Sequence, residues 1–326
     1  MEQWVGTSEV GSRPMAEGYA PTVYIPSLSG GGKLRSCLEA LSEQTVSARV
    51  VLADNGLPRE EVEELWGQYP SMDVLSFGEN LGFGRAINRS VKEVGEGPVI
   101  LLNDDVVPRP NFIESMIEAA REAPMVAGTL TRPGLPAVVD SAGVVVDQTL
   151  MAFDYFSGRP IGDLEGAPPP LGPTGGAALY DRGLFEAVGG FDERMFLYYE
   201  DVDLALRMRG LGATCHLASG ARGEHGYSAT LGGKSPEKHR RTGWSRGYLL
   251  RRYRIARTPR KALQVLLREV PICAAQLILR RSVAGLTGRI DGFRSAAGLE
   301  PRCVPPGSTI ELSARTALAI RRQQLR

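Results

Sequence analysis

Two short acidic clusters carry the chemistry of this 326-residue chain. Asn103-Asp104-Asp105 follows directly on the apolar run Val99-Ile100-Leu101-Leu102, and Glu200-Asp201 lies inside Phe196-Leu197-Tyr198-Tyr199-Glu200-Asp201-Val202-Asp203. Carboxylates at the carboxyl end of a buried strand lie where open α/β sheets bind ligands, and a hard divalent cation there would bridge them to phosphate oxygens. Asp105 is the better direct ligand, with Asp104 ligating or bonding a ribose; Asn103 adds only a neutral carbonyl. A carboxylate at Asp201 could take a proton from an attacking hydroxyl, with Glu200 orienting the acceptor or Asp201. Each cluster also has a structural alternative: an Asx turn or N-cap ahead of Pro108-Arg109-Pro110, and a helix N-cap at Asp201 with Asp203 near the positive dipole end.

The three histidines can be weighed singly. His216, in Ala213-Thr214-Cys215-His216-Leu217, is expected as a satisfied strand residue, and His239, in a basic run, as a solvated one. His225, between Glu224 and Gly226 in a loop, has room to present an imidazole nitrogen to a metal.

These groups must be positioned by a scaffold, and the first half of the chain alternates short apolar runs with helical patterns. Strands are expected over 22–26, 48–53, 72–76, 98–102 and 125–130, and helices over 33–41, 59–66, 83–94 and 110–121. Such alternation predicts an α/β, doubly wound, mainly parallel sheet covered on both faces. Polar loops follow its strands. Asp54-Asn55-Gly56 could meet a base or ribose or simply form an Asx turn. In Asn80-Leu81-Gly82-Phe83-Gly84-Arg85 the glycines permit close backbone approach, and Arg85 could meet a phosphate or remain a surface arginine.

This order of motifs, from about residue 23 to about 253, resembles the inverting family 2 glycosyltransferases of the GT-A fold, especially the rhamnosyltransferase-like and galactofuranosyltransferase-like branch. The resemblance implies nucleotide binding by Asp54 and Asn55, by Asn80, Gly82 and Arg85, and by Asp104. It implies metal ligation by Asp105, His225 and Asp104, with Mn2+ or Mg2+ as the cofactor. Pro173-Thr174-Gly175-Gly176-Ala177 looks like the family's acceptor-side loop, assigning Thr174, Gly175 and Gly176. Gly189-Gly190-Phe191-Asp192-Glu193 with Glu200-Asp201 looks like its catalytic-base region. One departure is the loop after the first strand, where Pro26-Ser27-Leu28-Ser29-Gly30-Gly31-Gly32 replaces the usual Thr-x-Tyr-Asn-like segment; Pro26 and Ser27 stand at its nucleotide side.

The implied activity is metal-dependent, inverting transfer of a sugar, rhamnose-like in the leading reading, from a UDP- or dTDP-sugar to a hydroxyl of a glycan or lipid-linked glycan. A nucleotidyltransferase would share the metal-carboxylate logic but needs basic residues in the loop after the first strand, and 27–32 has none. A nucleotide-sugar-binding module without turnover is the alternative from another class.

Composition sets the remaining expectations. With 43% hydrophobic residues the chain can bury a large core. Its four cysteines lack metal-like spacing, no signal-peptide pattern opens it, and a reducing, cytoplasmic setting is expected. Residues 1–19 are small, polar and aperiodic, as in a flexible leader. The net charge of +1 hides an asymmetry: residues 239–326 hold 19 Lys and Arg against four Asp and Glu. A catalytic domain over 20–238 and a basic, mainly helical extension over 239–326 are therefore expected. The apolar stretches of that extension, interrupted by Arg268, Glu269 and Pro271, look too broken to span a bilayer. They could lie peripherally on the inner face of the plasma membrane, or pack on the catalytic domain or a second subunit in a homo-oligomer. Nucleic acid binding is not expected, because no aromatic platform accompanies the charge.

Overall fold

The computed structural model describes residues 20–226, 235–312 and Ile320, so the expected leader lies outside the described residues. The first half alternates as its periodicity demands. Thr22, Val23, Tyr24 and Ile25, β-branched and aromatic side chains suited to a pleated surface, open β1 (Thr22–Ser27), and all four are buried. There follow α1 (Gly32–Ser42), β2 (Arg49–Asp54), α2 (Arg59–Gln68), β3 (Asp73–Ser76), α3 (Phe83–Glu93) and β4 (Val99–Leu102). Next come β5 (Val106–Pro108), α4 (Phe112–Ala119) and β6 (Met125–Arg132). Every expected strand and helix of this half forms, with ends moved by at most two residues, as frayed ends allow.

The second half adds β7 (Leu135–Ser141), β8 (Val144–Val146), β9 (Ala152–Asp154), β10 (Ala177–Tyr180), α5 (Arg182–Ala187), α6 (Glu200–Gly210) and β11 (Cys215–His225). The main sheet runs β3-β2-β1-β4-β10-β6-β11-β5, with β7 on β6 and with β8 and β9 as a separate pair. β1, β2, β3 and β4 are mutually parallel, β10 wedges antiparallel between β4 and β6, and β11 returns parallel to β6. From β1 the chain winds outward to β3 and then crosses to β4 on the other side. The carboxyl ends of β1 and β4 therefore flank the crevice in which such sheets bind ligands.

Apolar layers cover both faces of the sheet. Leu34 and Leu38 of α1 and Ile113 and Met116 of α4 fill one; Ile87 and Val91 of α3, Leu204 and Met208 of α6, and Tyr248 and Leu249 fill the other. The last two belong to α7 (Pro236–Arg252), which with α8 (Pro259–Arg280) and α9 (Ala284–Ser295) makes up the helical extension. The charge break at residues 238 and 239 falls inside α7. Charge reports the solvent face of a helix, whereas α7 puts its apolar face into the core of the preceding sheet.

In the extension α8 departs from expectation. α8 continues through Pro271 for 22 residues, long and apolar enough by length and composition to cross a membrane. Pro271 lies on the exposed side, where the carbonyl it leaves unpaired can reach water. α7 and α9 meet backbone to backbone: a Cβ on Gly247 would lie 2.0 Å from the Arg289 carbonyl, and one on Gly292 only 1.8 Å from that of Trp244. Glycine alone permits that approach.

Candidate active site

The loop after β4 and the end of β1 meet across the crevice. Ser27 donates its hydroxyl to Asp104 Oδ2 at 2.5 Å, so Asp104 is held by the short first-strand loop. Burial, with the neighbouring Asp105 charge adding to it, pushes the Asp104 carboxyl up to about 6 against the opposing pull of Ser27 and Lys33. Lys33 Nζ donates to the Gly226 carbonyl at 2.6 Å, placing a cation beside the crevice from the first turn of α1.

Asp105 and His225 come together. β5 pairs antiparallel with the end of β11, setting His225 beside Val106, and the Gly226 amide donates to the Asp105 carbonyl at 2.6 Å. His225 Nε2 stands 3.4 Å from Asp105 Oδ1, while Nδ1 stands 2.7 Å from Asp140 Oδ2. Burial alone would lower the imidazole pKa, but the bonds and charges of Asp105 and Asp140 outweigh it and push it up to about 9. Asp104 turns to Ser27 instead, and among the described residues no three His, Cys, Asp or Glu side chains close on one point as a finished metal site. The donor set still fits a hard cation: carboxylate oxygens with one imidazole, in a crevice whose negative charge is only partly offset by Lys33 and His225.

α6 presents the second acidic cluster. Its N-cap position belongs to Tyr199, which with Tyr198 adopts left-handed backbone (φ 67° and 72°). Two consecutive tyrosines there are a strained entry, held by Tyr199 under the Arg246 guanidinium and Tyr198 under the Lys238 ammonium. Asp201 is therefore not the N-cap but the second residue of the helix, where its Oδ1 accepts the Val202 amide at 2.8 Å. Burial raises its pKa, while the amides of Val202 and Gly175 pull the other way. The Gly175 amide ties the loop of Pro173 to Ala177, expected on the acceptor side, to this carboxylate. In that loop a Cβ on Gly175 would strike the Phe83 ring and one on Gly176 would press on Asn103, so the loop is packed between the two acidic clusters.

Glu200 points inward. It is buried, its Oε2 lacks a hydrogen-bond partner, and burial together with the Asp201 charge pushes it up to about 8. Burial thus raises both neighbours, Glu200 far enough to hold its proton at neutral pH, while the Val202 and Gly175 amides favour the ionised form of Asp201.

The residues expected on the nucleotide side assort unevenly. Asp54 Oδ1 accepts the amides of Gly56 and Leu57, the Asx-type turn its sequence favours. Asn55 staples two loops, donating to the Gly82 carbonyl at 3.2 Å and accepting the Leu81 amide at 3.0 Å. Asn80 caps its own turn through the Gly82 amide, and Gly82 (φ 80°) has no room for a Cβ against the Phe196 carbonyl. Arg85 turns to Glu193 at 3.3 Å, both half exposed. Pro26 pairs with Ala53 in the β1–β2 register, one residue short of the crevice.

Two carboxylates escaped sequence reasoning. Asp140, one residue before the end of β7, holds His225; Asp154 ends β9, near Asp140 and Asp201. Asp154 keeps an open face to solvent, yet protein crowds it at longer range, and that crowding, with the charges of Asp140 and Asp201, pushes it up to about 7. Neither sits in an acidic run, so no local pattern marks it. Of the other histidines, His216 lies on β11, the strand expected for it, with its side chain exposed, and His239 is partly buried rather than solvated. Burial and the cations Arg280, Lys238 and Arg289 lower the pKa of His239.

Comparison with known proteins decides the family: residues 22–189 match the model of glycosyl transferase family 2. The chain belongs to that family. This glycosyltransferase is 31% identical over 246 residues, 65% of its length and 77% of the relative's, to the N-acetylglucosaminyl-diphospho-decaprenol L-rhamnosyltransferase of Mycobacterium tuberculosis. It is 27% identical to the O-antigen biosynthesis protein RfbC of Myxococcus xanthus, over 60% of this chain but only 16% of that one. Its fold is shared with GalNAc-T7, solved with UDP, GalNAc and Mn2+, at a TM-score of 0.55 and 13% identity over 73% of this chain and 49% of the other. Membership of that family makes the chain a glycosyltransferase.

Proposed function

We propose that this glycosyltransferase moves a sugar, with inversion, from a UDP- or dTDP-sugar to a hydroxyl of a glycan or lipid-linked glycan, with rhamnose as the leading sugar. The observation that carries the reading is the meeting, at one crevice, of Asp104 on Ser27, Asp105 on His225, and Asp201, propped by backbone amides, beside a neutral Glu200. The relative named for rhamnosyl transfer to a diphospho-decaprenol acceptor supports the choice of sugar and of lipid-linked acceptor.

In this mechanism the loops after β1, β2 and β3 receive the nucleotide, and Asp104, held by Ser27, meets the ribose or the ion. Asp105 and His225 would hold Mn2+ or Mg2+, which when bound acts as a Lewis acid on the diphosphate. Asp201 accepts the proton of the acceptor hydroxyl as its oxygen bonds to the anomeric carbon and the bond to the diphosphate oxygen breaks on the opposite face. Glu200, protonated, keeps a second charge from competing for that proton. Thr174, Gly175 and Gly176 line the acceptor side, with Gly175 fixing Asp201 through its amide. The test is a panel of UDP- and dTDP-sugars with polyprenyl-diphosphate-linked acceptors and Mn2+ or Mg2+, scored by acceptor-dependent release of nucleoside diphosphate and by the anomeric configuration of the product. Retention of configuration, or no acceptor-dependent release with any pair, overturns the reading.

A further inference from the structure

α8 is amphipathic the wrong way round for a helix at the surface of a soluble protein. Its inward face sets Val265 and Ile272 on the core beside a charged cluster: Glu269 is buried, accepts from Arg246 at 2.6 Å and from Arg289 at 2.6 Å, and Arg268 reaches Asp147 at 3.1 Å. Leu263, Leu266, Leu267, Val270, Leu277 and Ile278 fall on the other face at helical spacing and are exposed, Leu267 by 63% and Ile278 by 74%. α9 continues the surface with Val283, Leu286, Ile290 and Phe293, also exposed and also three or four apart. An apolar surface of this extent marks an interaction site.

The charges around it choose the occupant. Arg260 opens the α8 stripe, Arg280 and Arg281 close it, and Arg294 closes that of α9, all exposed; the acid within α8, Glu269, is turned inward and paired. A second copy would bring like charges together at such a rim, whereas anionic head groups complement it. The inward ion pairs also fix the orientation. A helix crossing the bilayer would carry Arg268 and Glu269 into hydrocarbon and leave Arg246, fully buried, without its partner. We infer that α8 and the outer face of α9 form a peripheral membrane-docking surface, lying in the plane of an anionic lipid interface with their leucines in the acyl boundary and their arginines on the head groups. Docking of this kind rests on the surface alone and is independent of the donor, the acceptor and the metal.

Co-sedimentation of the full chain with vesicles of phosphatidylcholine, with and without phosphatidylglycerol, tests it. Binding is expected to the anionic vesicles at low salt and to fall as salt screens the arginines. Leu267→Asp with Ile278→Asp, and separately Arg260→Gln with Arg281→Gln, should each lower partitioning about tenfold or more, since one surface arginine is worth roughly fivefold. These side chains are exposed, so unchanged thermal midpoints should show that the variants remain folded. Variants that bind as well as wild type, equal binding to neutral vesicles, or resistance to extraction by high salt would each overturn the inference. So would a lipid-free dimer in sedimentation equilibrium that Leu267→Asp dissociates, since the face would then belong to a second copy.

Discussion

At the scale of single residues, the environment divides neighbours with the same functional group into different roles. Glu200 and Asp201 are adjacent carboxylates, yet one is driven inward with an unpartnered oxygen while the other is propped by two backbone amides at the edge of the crevice. Asp201→Asn should therefore lower transfer on the order of 100- to 10,000-fold while leaving nucleotide affinity near normal, because the amide keeps the shape and cannot accept the proton. Glu200→Gln replaces a group that already holds its proton, and most of the rate should survive. Steady-state rates beside nucleotide titrations check both; equal losses in the two variants would remove the division of roles. In the same protein the rate should fall as pH drops through the raised pKa of Asp201, above the ordinary carboxylate range, since only the ionised form can act as base. Asp140 belongs with these residues through its 2.7 Å contact to His225 Nδ1, which aims Nε2 at Asp105. Losing such a support typically costs 10- to 100-fold in metal affinity. Asp140→Ala should thus raise by about that factor the Mn2+ concentration needed for donor binding, measured by titrating metal at fixed donor; an unchanged requirement would return Asp140 to a purely structural role.

At the scale of elements, the helical extension is locked by one carboxylate. Glu269 of α8 holds Arg246 of α7 and Arg289 of α9, and Arg246 also donates to the carbonyls of Thr149 and Leu150. Burial alone would raise the Glu269 pKa, but the two guanidinium charges override it and hold the carboxyl down at about 2, below its ordinary 4.5. A carboxyl with a depressed folded-state pKa stabilises the fold fully above the unfolded value and loses that contribution as pH falls through the folded one. Acid unfolding of the wild type should therefore draw on Glu269 between about 4.5 and about 2, and Glu269→Gln should lose that part of the pH dependence. At neutral pH that variant leaves Arg246 buried without its countercharge, a loss of about 3–5 kcal/mol for a broken buried pair. Chemical denaturation across pH checks both statements. The α7–α9 crossing makes a second element-scale prediction. Gly292→Ala would place a methyl 1.8 Å from the Trp244 carbonyl and must part the helices, an overpacking cost of about 1–3 kcal/mol visible as a lower thermal midpoint. An unchanged midpoint would mean that the helices separate freely.

At the scale of the whole molecule, the crevice is assembled from both halves of the chain. Ser27 and Asp104 come from the parallel half, while Asp140, Asp201 and His225 come from β7, α6 and β11. A donor that bridges them binds only the folded state and should raise the thermal midpoint by mass action, with Mn2+ required for the full rise. Chelator should remove that increment and His225→Ala should mimic the chelator; a full rise in excess chelator would remove the metal from the site.

The sequence by itself determined the elements of the first half and the two acidic clusters. Periodicity is a local property: runs such as Val99–Leu102 and the apolar face of α3 announce themselves within a few residues. Carboxylates that are adjacent in the chain, like Asp104-Asp105 and Glu200-Asp201, are adjacent in any fold, so their pairing was legible too. Tertiary structure decided what depends on distant residues arriving together. Asp140 and Asp154 are isolated in the chain and become part of the site only because β7 pairs with β6 and β9 with β8. Asp201 lost the N-cap role its position suggested because two tyrosines take up left-handed backbone ahead of it. Arg85 could face a phosphate by its place in the loop, but Glu193, more than a hundred residues later, claims it. The orientation of α8 is the clearest case. The sequence left its apolar stretches open between a lipid surface and packing, and Arg246 and Arg289 set Glu269 on the inward side. With Glu269 fixed inward by both guanidinium groups, the leucines on the opposite face of the helix are left facing outward.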